Sequence, residues 1–545
     1  MYKLTFGEPE KLVPSRFCDN FRFMPSSEPM SYPAEMIEVS DTARGYTLYL
    51  PCDEGEDFYG LGLQLKGWRL NGHELTMSVN ADPREFTGDS HAPVPFFVSS
   101  KGYGIWFDTF RYAEFRFGGI RNGKKCISVT IPGTHGVDTY IFEADNITGV
   151  CAEYNMLSGG GAKVADWGLG TLYRCYSKYN SDEVCEIGRY FIDKKLPVSM
   201  IGLEPGWQSR SYSCSYVWNK ENYPDPEGTI ASLREMGYHV NLWEHAFTHP
   251  DSPIYQKIKP YSGDFSVWGG VVPDFADKNA VDIFAGYHSE KLVSLGIDGF
   301  KLDECDSSDY TGHWSFPHCS VFPSGFDGEQ YHSAFGTLYC KAISKAFGDN
   351  ETFSQVRSMG SLAASYPYAL YSDLYDYKEF RRGVCSAGFS GLLWAPEVRH
   401  ASSSDEFLKR LATAVLSPFC LINAWYCEEV PWKAFDCEAE VRSLLELRQE
   451  LKPVLKTAYE EYVKKGISPC RALVSDYTSD IETRAIDDEF LIGDKLLAAP
   501  LAPGENTREV YLPTQDRWED YFTGKPVPSG RFVYNGNGIP LYVKI

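Results

Sequence analysis

The feature that most constrains the fold is a regular alternation of apolar strands and amphipathic helices between residues 165 and about 450. Strands are predicted at 198–203, 238–243, a run that ends at residue 303, and 351–356, and helices at 182–193, 227–236, 279–295 and 328–347. Such alternation is typical of parallel strands joined by helical crossovers. The number of these units predicts a closed (β/α)8 TIM barrel, of the α/β class, rather than an open sheet.

Both flanks of this region carry the pattern of β-strands instead. Residues 1 to about 160 contain short runs of alternating apolar and polar positions, such as 45–50 and 103–107, separated by Gly and Pro. After a predicted helix near 435–451, the β pattern returns at 508–513. The predicted domains are an N-terminal β-sandwich (1–163), a barrel (164–465) and a small C-terminal β-sandwich (466–545).

Composition restricts the classes of partner and cofactor. The formal net charge of −22 disfavours nucleic acid and anionic membrane surfaces, and no apolar run approaches the length of a membrane span. The 15 Cys form no close CxxC pair, which indicates reduced thiols, and the first residues lack the apolar segment of a signal peptide. A cytoplasmic protein is expected, with homo-oligomerisation left open. No phosphate-binding Gly loop or HExxH motif is present, so no organic cofactor or metal is predicted.

One strand of the predicted barrel delivers a dense group of carboxylates. Residues 296–306, GIDGFKLDECD, read as an apolar strand that ends at Asp303 and is followed by Glu304 and Asp306. In a barrel of parallel strands, catalytic groups collect at the carboxyl ends of the strands. This stretch is therefore the first candidate for a functional site, although an acidic surface loop after a buried strand would give the same letters.

Ionisable and tryptophan side chains recur at the other predicted strand ends. The full set is Glu204, Trp207, Trp243, Glu244, His245, Asp303, Glu304, Asp306, Arg357, Trp394, Glu397 and Arg399. Carboxylates and arginine bind hydroxyl groups, and aromatic rings pack against the CH faces of sugars. Any one of these residues is more often structural, but their repetition at successive strand ends predicts a carbohydrate site.

Cleavage of a glycosidic bond requires two carboxyl groups. In the retaining mode they stand about 5 Å apart, one as nucleophile and the other as acid and then base. Asp303 is the candidate nucleophile because it closes an apolar strand, and a cation such as Lys301 or Arg357 would keep it ionised. The second carboxyl group is expected from residues 371–376, which offer Asp373 and Asp376.

A cation site is an alternative interpretation of the same stretch. Its candidate ligands are Asp303, Glu304, Asp306, Asp309 and His313. An EF-hand loop would need regularly spaced acids, a central Gly and a terminal Glu, whereas Trp314 and Phe316 stand where that loop would continue.

The chain resembles glycoside hydrolase family 31 over nearly its whole length. The motifs that carry the resemblance are FYGLG at 58–62, NAD at 80–82, PFF at 95–97, YGI at 103–105, EPGW at 204–207, DGFKLD at 298–303, RS at 357–358, LP at 512–513 and residues 518–524. The resemblance implies that Asp303 is the nucleophile and that Asp373 is the acid/base, with Asp376 as its rival. The side chains expected to line the sugar subsite are Asp82, Glu204, Trp207, Trp243, Lys301, Arg357, Trp394 and Glu397.

Two departures from the family pattern bear on the sugar. The family's glucosidases carry DIGGF where this chain has GLLWAPEVR at 391–399, and their later Arg and His are missing from SPFCLINAW at 417–425. A subsite without those side chains is expected to hold a different sugar, and the altered motifs are similar to the family's α-galactosidase-like branch.

The predicted function is a retaining exo-α-glycosidase that acts on an oligosaccharide or a small α-glycoside. α-Galactosides are favoured, and α-glucosides or a related α-hexoside come next. Transglycosylation stays open, as do two other classes: a non-catalytic sugar-binding protein on the same scaffold, and a metal-dependent hydrolase.

Overall fold

The computed structural model describes residues 1–374 and 376–545, apart from the side chains of Tyr310 and His313. Within these residues no helix has both the length and the apolar character that a membrane crossing requires. The chain forms three regions that follow one another in sequence, with the barrel in the middle.

The N-terminal region consists of two antiparallel five-stranded sheets that face each other. Its elements are β1 (Tyr2–Glu8), α1 (Pro14–Phe17), β2 (Glu38–Thr42), β3 (Gly45–Pro51), β4 (Phe58–Gly60), β5 (Glu74–Thr76), β6 (Phe96–Ser99), β7 (Tyr103–Phe107), β8 (Glu114–Arg121), β9 (Lys124–Pro132), β10 (His135–Glu143) and α2 (Ile147–Met156). The strand orders are β1-β10-β7-β6-β4 and β2-β3-β9-β8-β5. Leu48, Ile105 and Ile127 lie in one core between the sheets, as alternation of apolar residues along a half-buried strand requires.

The central region contains an eight-stranded parallel sheet. Its elements are β11 (Thr171–Arg174), α3 (Ser181–Asp193), β12 (Met200–Leu203), α4 (Pro226–Glu235), β13 (His239–His245), α5 (Tyr255–Ile258), β14 (Ser262–Val267), β15 (Gly270–Pro273), α6 (Lys278–Lys291), β16 (Ile297–Asp303), α7 (Gly328–Phe347), β17 (Ser354–Val356), β18 (Tyr368–Leu370), α8 (Tyr377–Ala387), β19 (Glu397–Val398), α9 (Ser404–Leu416), β20 (Cys420–Asn423) and α10 (Glu438–Lys465). The sheet order is β18-β17-β16-β13-β12-β11-β20-β19, and β14 and β15 form a separate two-stranded sheet.

Backbone hydrogen bonds also join the two outer strands of this sheet. The Leu370 N–H donates to the carbonyl of Leu393 at 2.7 Å, and the Ala395 N–H donates to the carbonyl of Leu370 at 2.8 Å. These bonds connect β18 to the segment that leads into β19, so the sheet closes on itself. Closure brings the carboxyl ends of all eight strands around one mouth, where catalytic groups of such barrels lie.

The C-terminal region is again made of β-strands. Its elements are β21 (Cys470–Ala472), α11 (Leu473–Asp476), β22 (Phe490–Ile492), β23 (Leu496–Ala498), β24 (Thr507–Leu512), β25 (Trp518–Asp520), β26 (Pro526–Val527), β27 (Gly530–Asn535) and β28 (Leu541–Lys544). A six-stranded sheet and the β24–β27 pair enclose Leu497, Val510 and Trp518 in a separate core.

The predicted helices at 182–193, 227–236 and 328–347 are confirmed, with ends that differ by at most one residue from α3, α4 and α7. The helix predicted at 279–295 ends as an α-helix at Lys291, and a 3-10 turn (Val293–Leu295) follows before Gly296, which has φ +98°. Helix α10 continues past Pro453 to Lys465 and is longer than predicted. Helix α2 lies in a region that was predicted to contain only strands.

Candidate active site

Asp303 is the last residue of β16 and faces the mouth of the barrel almost buried, with 8% exposure. Its Oδ2 accepts a hydrogen bond from Trp243 Nε1 at 2.6 Å, and its Oδ1 accepts from the Glu304 N–H at 3.0 Å. Trp243 belongs to the neighbouring strand β13, where it pairs in register with Lys301 of β16. The carboxylate is therefore held in one orientation by groups on two strands and on the loop that follows.

Arg357 joins this carboxylate to two others. Its Nη1 lies 3.4 Å from Asp303 Oδ1 and 2.5 Å from Asp373 Oδ2, and its Nε donates to Asp306 Oδ2 at 2.9 Å. Burial by itself would lower the pKa of Arg357, but the charges of Asp306, Asp373 and Asp303 outweigh burial and raise that pKa well above its ordinary value. Arg357 therefore stays charged at the centre of three aspartates.

The contacts of Arg357 limit the separation of Asp303 and Asp373. Both carboxylates touch the same Nη1 atom, at 3.4 and 2.5 Å. The two contacting oxygen atoms are therefore separated by at most about 6 Å, whereas carboxyl groups stand about 5 to 5.5 Å apart in retaining glycosidases and about 6.5 to 9.5 Å apart in inverting ones. The pair fits the retaining geometry.

Asp373 is the more exposed member of the pair, with 55% of its side chain accessible to solvent. Burial would raise its pKa, but the charges of Arg357, Lys301 and Arg399 outweigh burial and hold the pKa of Asp373 well below its usual range. Arg399 lies 3.6 Å from Asp373 Oδ1 and also donates to its backbone carbonyl. In the free protein this carboxyl group is ionised.

Asp376 has a different role in the structure. It is the N-cap residue of α8, and its Oδ1 accepts a hydrogen bond from the Glu379 N–H at 3.1 Å. Such a cap satisfies a backbone donor that the helix itself leaves unpaired. This assignment accounts for Asp376 without catalysis and favours Asp373 as the second carboxyl group. Tyr375, between them, lies outside the described residues.

The floor of the site is a buried ion cluster. Glu204 accepts a hydrogen bond from Arg174 Nε and lies 3.7 Å from Lys301 Nζ. Arg174 also donates to Asn241 Oδ1 at 2.5 Å and to Gln355 Oε1 at 3.0 Å, so its guanidinium group is bound by acceptors inside the barrel. Because Arg174 binds Glu204, Asn241 and Gln355 on three other strands or their ends, the cluster forms a polar base beneath Asp303.

Glu397 offers a buried acceptor beside this cluster. It is 2% exposed, Asn423 Nδ2 donates to its Oε1, and its Oε2 has no hydrogen-bond partner among the described residues. Burial raises the pKa of Glu397, against the opposing charges of Lys301 and Arg399. An unpaired buried oxygen costs free energy that a ligand hydroxyl would recover. Glu397 is therefore a buried carboxyl group with one acceptor unused by the described residues.

A group of aromatic rings lines one side of Asp303. The ring of Tyr212 lies 5.4 Å from that of Trp243 and 4.9 Å from that of Trp268, and the ring of His245 lies 5.5 Å from that of Trp243. Tyr212 is 51% exposed. Aromatic rings with an exposed face suit contact with the CH groups of a sugar.

Trp207, Trp394 and Asp82, which were predicted for the subsite, form hydrogen bonds or ion pairs away from Asp303, Asp306 and Asp373. Trp207 is fully buried and donates from Nε1 to the carbonyl of Trp243 at 2.7 Å, and Trp394 is buried and donates to the carbonyl of Phe380 at 3.1 Å. Asp82 is exposed and pairs with Arg84 at 3.3 Å, and no hydrogen bond or ion pair joins it to the Asp303 group within the described part of the chain. Trp207 therefore stabilises the backbone of Trp243 rather than contacting Asp303 itself.

Tyr371 and Arg174 are site residues that sequence reasoning missed. The Tyr371 ring lies 4.7 Å from Lys301 Nζ and 5.6 Å from the Arg357 guanidinium carbon, and burial together with the charge of Asp303 raises the pKa of its phenol well above the ordinary value. Arg174 is the last residue of strand β11. An arginine at the end of an apolar strand was the sequence signal that could have identified it as a site residue.

The acids of the predicted cation site separate into different contacts. Asp303 and Asp306 bind Arg357, and burial, then the charge of Asp303, raises the pKa of Glu304 well above its usual range. Asp309, His318 and His332 place one potential ligand atom each within 4.8 Å of one another. That group is not the one predicted, and the His313 side chain lies outside the described residues.

Family models match all three regions of the chain. They are the glycosyl hydrolase 31 N-terminal galactose mutarotase-like domain over residues 24–115, the glycosyl hydrolases family 31 TIM-barrel domain over 162–458 and the family's C-terminal domain over 466–545.

Relatives and solved structures agree with these matches. An alpha-xylosidase of Emericella nidulans is 24% identical over 92% of this chain and 68% of its own length, and alpha-glucosidase 2 of Bacillus thermoamyloliquefaciens is 24% identical over 90% and 67%. A dextranase structure from Flavobacterium johnsoniae superposes with a TM-score of 0.82 at 22% identity, covering 93% of this chain and 67% of that one. The cycloalternan-forming enzyme of Listeria monocytogenes gives 0.80 at 22%, covering 92% and 53%. The chain thus spans only part of the length of each of these relatives. Since the TIM-barrel model of the family matches more than half of the chain, the chain belongs to glycosyl hydrolase family 31.

Proposed function

We propose that this glycoside hydrolase is a retaining exo-α-glycosidase in which Asp303 is the nucleophile and Asp373 is the acid/base. The observation that carries the proposal is the contact of both carboxylates with Arg357 Nη1, at 3.4 and 2.5 Å. Asp303 is held rigidly at a strand end, as an attacking group requires. Asp373 lies on the exposed side of the mouth, where a proton donor can reach the departing group.

The reaction takes two steps. Asp303 Oδ attacks the anomeric carbon, the bond from that carbon to the leaving oxygen breaks, and protonated Asp373 gives its proton to that oxygen. Ionised Asp373 then removes a proton from water, the water oxygen bonds to the anomeric carbon, and the bond to Asp303 breaks. Two inversions leave the product with the α configuration of the substrate.

The proposed subsite binds the terminal sugar above the buried floor. Glu397 Oε2 would accept a hydroxyl hydrogen, and Tyr212, whose side chain is exposed, would cover a CH face. The buried ion cluster of Arg174, Glu204 and Lys301 closes the barrel below Asp303. A site closed on one side would accept the end of an oligosaccharide rather than an internal stretch of it. Asp82, Trp207 and Trp394 stay predictions for this subsite.

The sugar is proposed from the residues and from the relatives. The motif at 391–399 lacks the glucosidase pattern, and on that ground an α-galactoside is the first substrate to test. Because relatives are named alpha-xylosidase and alpha-glucosidase, we propose α-xylosides and α-glucosides as the next substrates to test.

The first experiment tests the purified protein on p-nitrophenyl α-galactoside, α-glucoside and α-xyloside, with proton NMR of the first-formed sugar. We expect hydrolysis of an α-glycoside with retention of configuration. The variant Asp373→Asn should lose most activity on this substrate, and azide, which needs no general base, should restore turnover with formation of the α-glycosyl azide.

Asp376→Asn is the matched control for that experiment, because asparagine preserves the N-cap of α8. It should keep the activity of the wild type. Product of inverted configuration, or azide rescue of the Asp376 variant instead of the Asp373 variant, would contradict the assignment.

The charge around Asp373 leads to a prediction for pH dependence. Attack by Asp303 requires Asp373 in its protonated form, which is the minor form in the free protein, so kcat/KM falls as pH rises above the pKa of Asp373. Arg399 helps to hold that pKa low, and Arg399→Gln should raise it. The falling limb of kcat/KM against pH should therefore move to higher pH.

Arg531→Gln is the control for this measurement, since Arg531 pairs with Glu482 and Glu509 in the C-terminal region. Its pH profile should match that of the wild type. A falling limb that stays in place or moves to lower pH in Arg399→Gln would show that Arg399 does not set the protonation of the acid.

A further inference from the structure

His91 reaches the barrel site from the N-terminal region. It lies between β5 and β6 and is fully buried. The residue before it is fixed within that region, because the Ser90 N–H donates to the carbonyl of Ser78 at 3.0 Å and Ser90 Oγ donates to the carbonyl of Leu63 at 2.5 Å. The imidazole therefore enters the site from a rigid base that is not part of the barrel.

Both ring nitrogens of His91 bind side chains of the barrel. Nδ1 lies 2.7 Å from Asp306 Oδ2, and Nε2 lies 2.7 Å from Ser372 Oγ. Burial would raise the pKa of Asp306, but the charge of Arg357 and the hydrogen bond from His91 outweigh burial and lower it. Asp306 is therefore an acceptor, so His91 Nδ1 carries a hydrogen and donates it.

The second bond of His91 acts on the turn that carries Asp373. Ser372 Oγ accepts a hydrogen bond from the Leu374 N–H at 3.0 Å, which spans Asp373. The Ser372 hydroxyl has one hydrogen and a second lone pair left, so it can either donate to His91 Nε2 or accept from it. Ser372 is 1% exposed, so this bond is shielded from bulk solvent. His91 thus fixes the hydroxyl that clamps residues 372–374.

A second route connects His91 to the same carboxyl group. Asp306 Oδ2, which His91 binds, also accepts from Arg357 Nε at 2.9 Å, and Arg357 Nη1 holds Asp373 Oδ2. One route fixes the backbone of Asp373 and the other its carboxylate. Together they form a closed ring of contacts through His91, Asp306, Arg357, Asp373 and Ser372.

We propose that His91 is a positioning residue for the acid/base Asp373, supplied to the barrel by the N-terminal region. This inference rests on the proposed function, since it assumes that Asp373 transfers the proton. His91 contacts neither the sugar nor the reacting atoms in this role. It determines where the carboxyl group stands relative to the leaving oxygen, and small displacements of such groups lower rates strongly.

The test compares substrates that differ in their need for a proton. Cleavage of a phenyl α-glycoside depends on proton donation to the phenol oxygen, whereas an α-glycosyl fluoride departs with little help from the acid. Both are prepared from the sugar that the wild type cleaves in the panel. His91→Asn keeps a donor for Asp306 and loses the bond to Ser372, and Ser372→Ala loses the same bond from the other side.

We expect kcat/KM for the phenyl glycoside to fall about 100-fold in each variant, while the value for the fluoride falls less than about threefold. The double variant should be no worse than Ser372→Ala alone, because that variant already lacks the bond that His91→Asn removes. His135→Asn is the control, since His135 is an exposed histidine of the same region, and it should keep wild-type rates on both substrates.

Each other outcome decides against the inference. Equal losses on both substrates would assign His91 a general structural role, and unchanged rates or additive losses would show that the His91–Ser372 bond does not position the acid. Melting temperatures identify a variant that fails to fold, and Ser372→Ala, which only removes one oxygen, then carries the test. A wild type that cleaves neither substrate overturns the proposed function itself and with it this inference.

Discussion

The variant Asp303→Ala is expected to lose kcat by about 10⁴-fold or more, a loss that is characteristic of removing a nucleophile. The physical reason is that Asp303 is the carboxylate which Trp243 and Arg357 hold at the end of β16. The measurement is the initial rate on the preferred aryl α-glycoside. In parallel, the wild type is treated with a 5-fluoro glycosyl fluoride of the same sugar, which should leave a stable ester on the peptide that contains Asp303.

Asp298→Asn is the matched control for this prediction. Asp298 lies on the same strand, about 16 Å away at about 3.3 Å per residue, and pairs with Arg234. Its variant should keep the wild-type kcat. A label on any peptide without Asp303, or an Asp303→Ala variant that keeps more than a tenth of the activity, would exclude Asp303 as the nucleophile.

The variant Arg357→Met is expected to lose both stability and activity. Three aspartates share this cation, and one of them, Asp306, is fully buried. Removing one partner from a buried ion pair costs about 3 kcal/mol or more, and losing the cation that orients Asp303 and Asp373, the proposed catalytic pair, should cost about 10³-fold in kcat/KM. Urea denaturation and initial rates measure the two losses.

The stability loss should depend on pH in a definite direction. The pKa of Asp306 is lower in the folded protein than its ordinary value. Its ion pair therefore stabilises the fold above the ordinary aspartate pKa, and this stabilisation disappears as pH falls through the folded-state pKa. The difference in unfolding free energy between wild type and Arg357→Met should be largest near neutral pH and shrink under acid conditions.

A double variant separates the two effects of Arg357. Arg357→Met with Asp306→Asn removes the buried charge together with its partner, so part of the lost stability should return. Activity should not return, because Asp303 and Asp373 still lack their shared cation. A single variant as stable as the wild type, or a double variant that regains activity, would contradict the role assigned to Arg357.

The sequence by itself determined the barrel's main elements and the position of the nucleophile candidate. The helical spacing of apolar residues in α7 and the apolar run of β16 are local features, so the sequence predicted both elements. The same periodicity missed α2, whose apolar residues are buried among strands, and the continuation of α10 past Pro453. It also does not separate a core tryptophan from one at a binding site, since Trp207 and Trp394 are both buried and bonded to backbone carbonyls.

Only the tertiary structure decided how the charges of the site are shared. Arg174, Tyr371 and His91 act through contacts with residues that are distant in sequence, and the bond between His91 and Asp306 joins positions 215 residues apart. Local pattern carries no information about which buried donor meets which acceptor, because closure of the barrel and docking of the N-terminal region bring them together. For this reason the sequence predicted Asp303 as a site residue, whereas it could not predict the ring of contacts that holds Asp373.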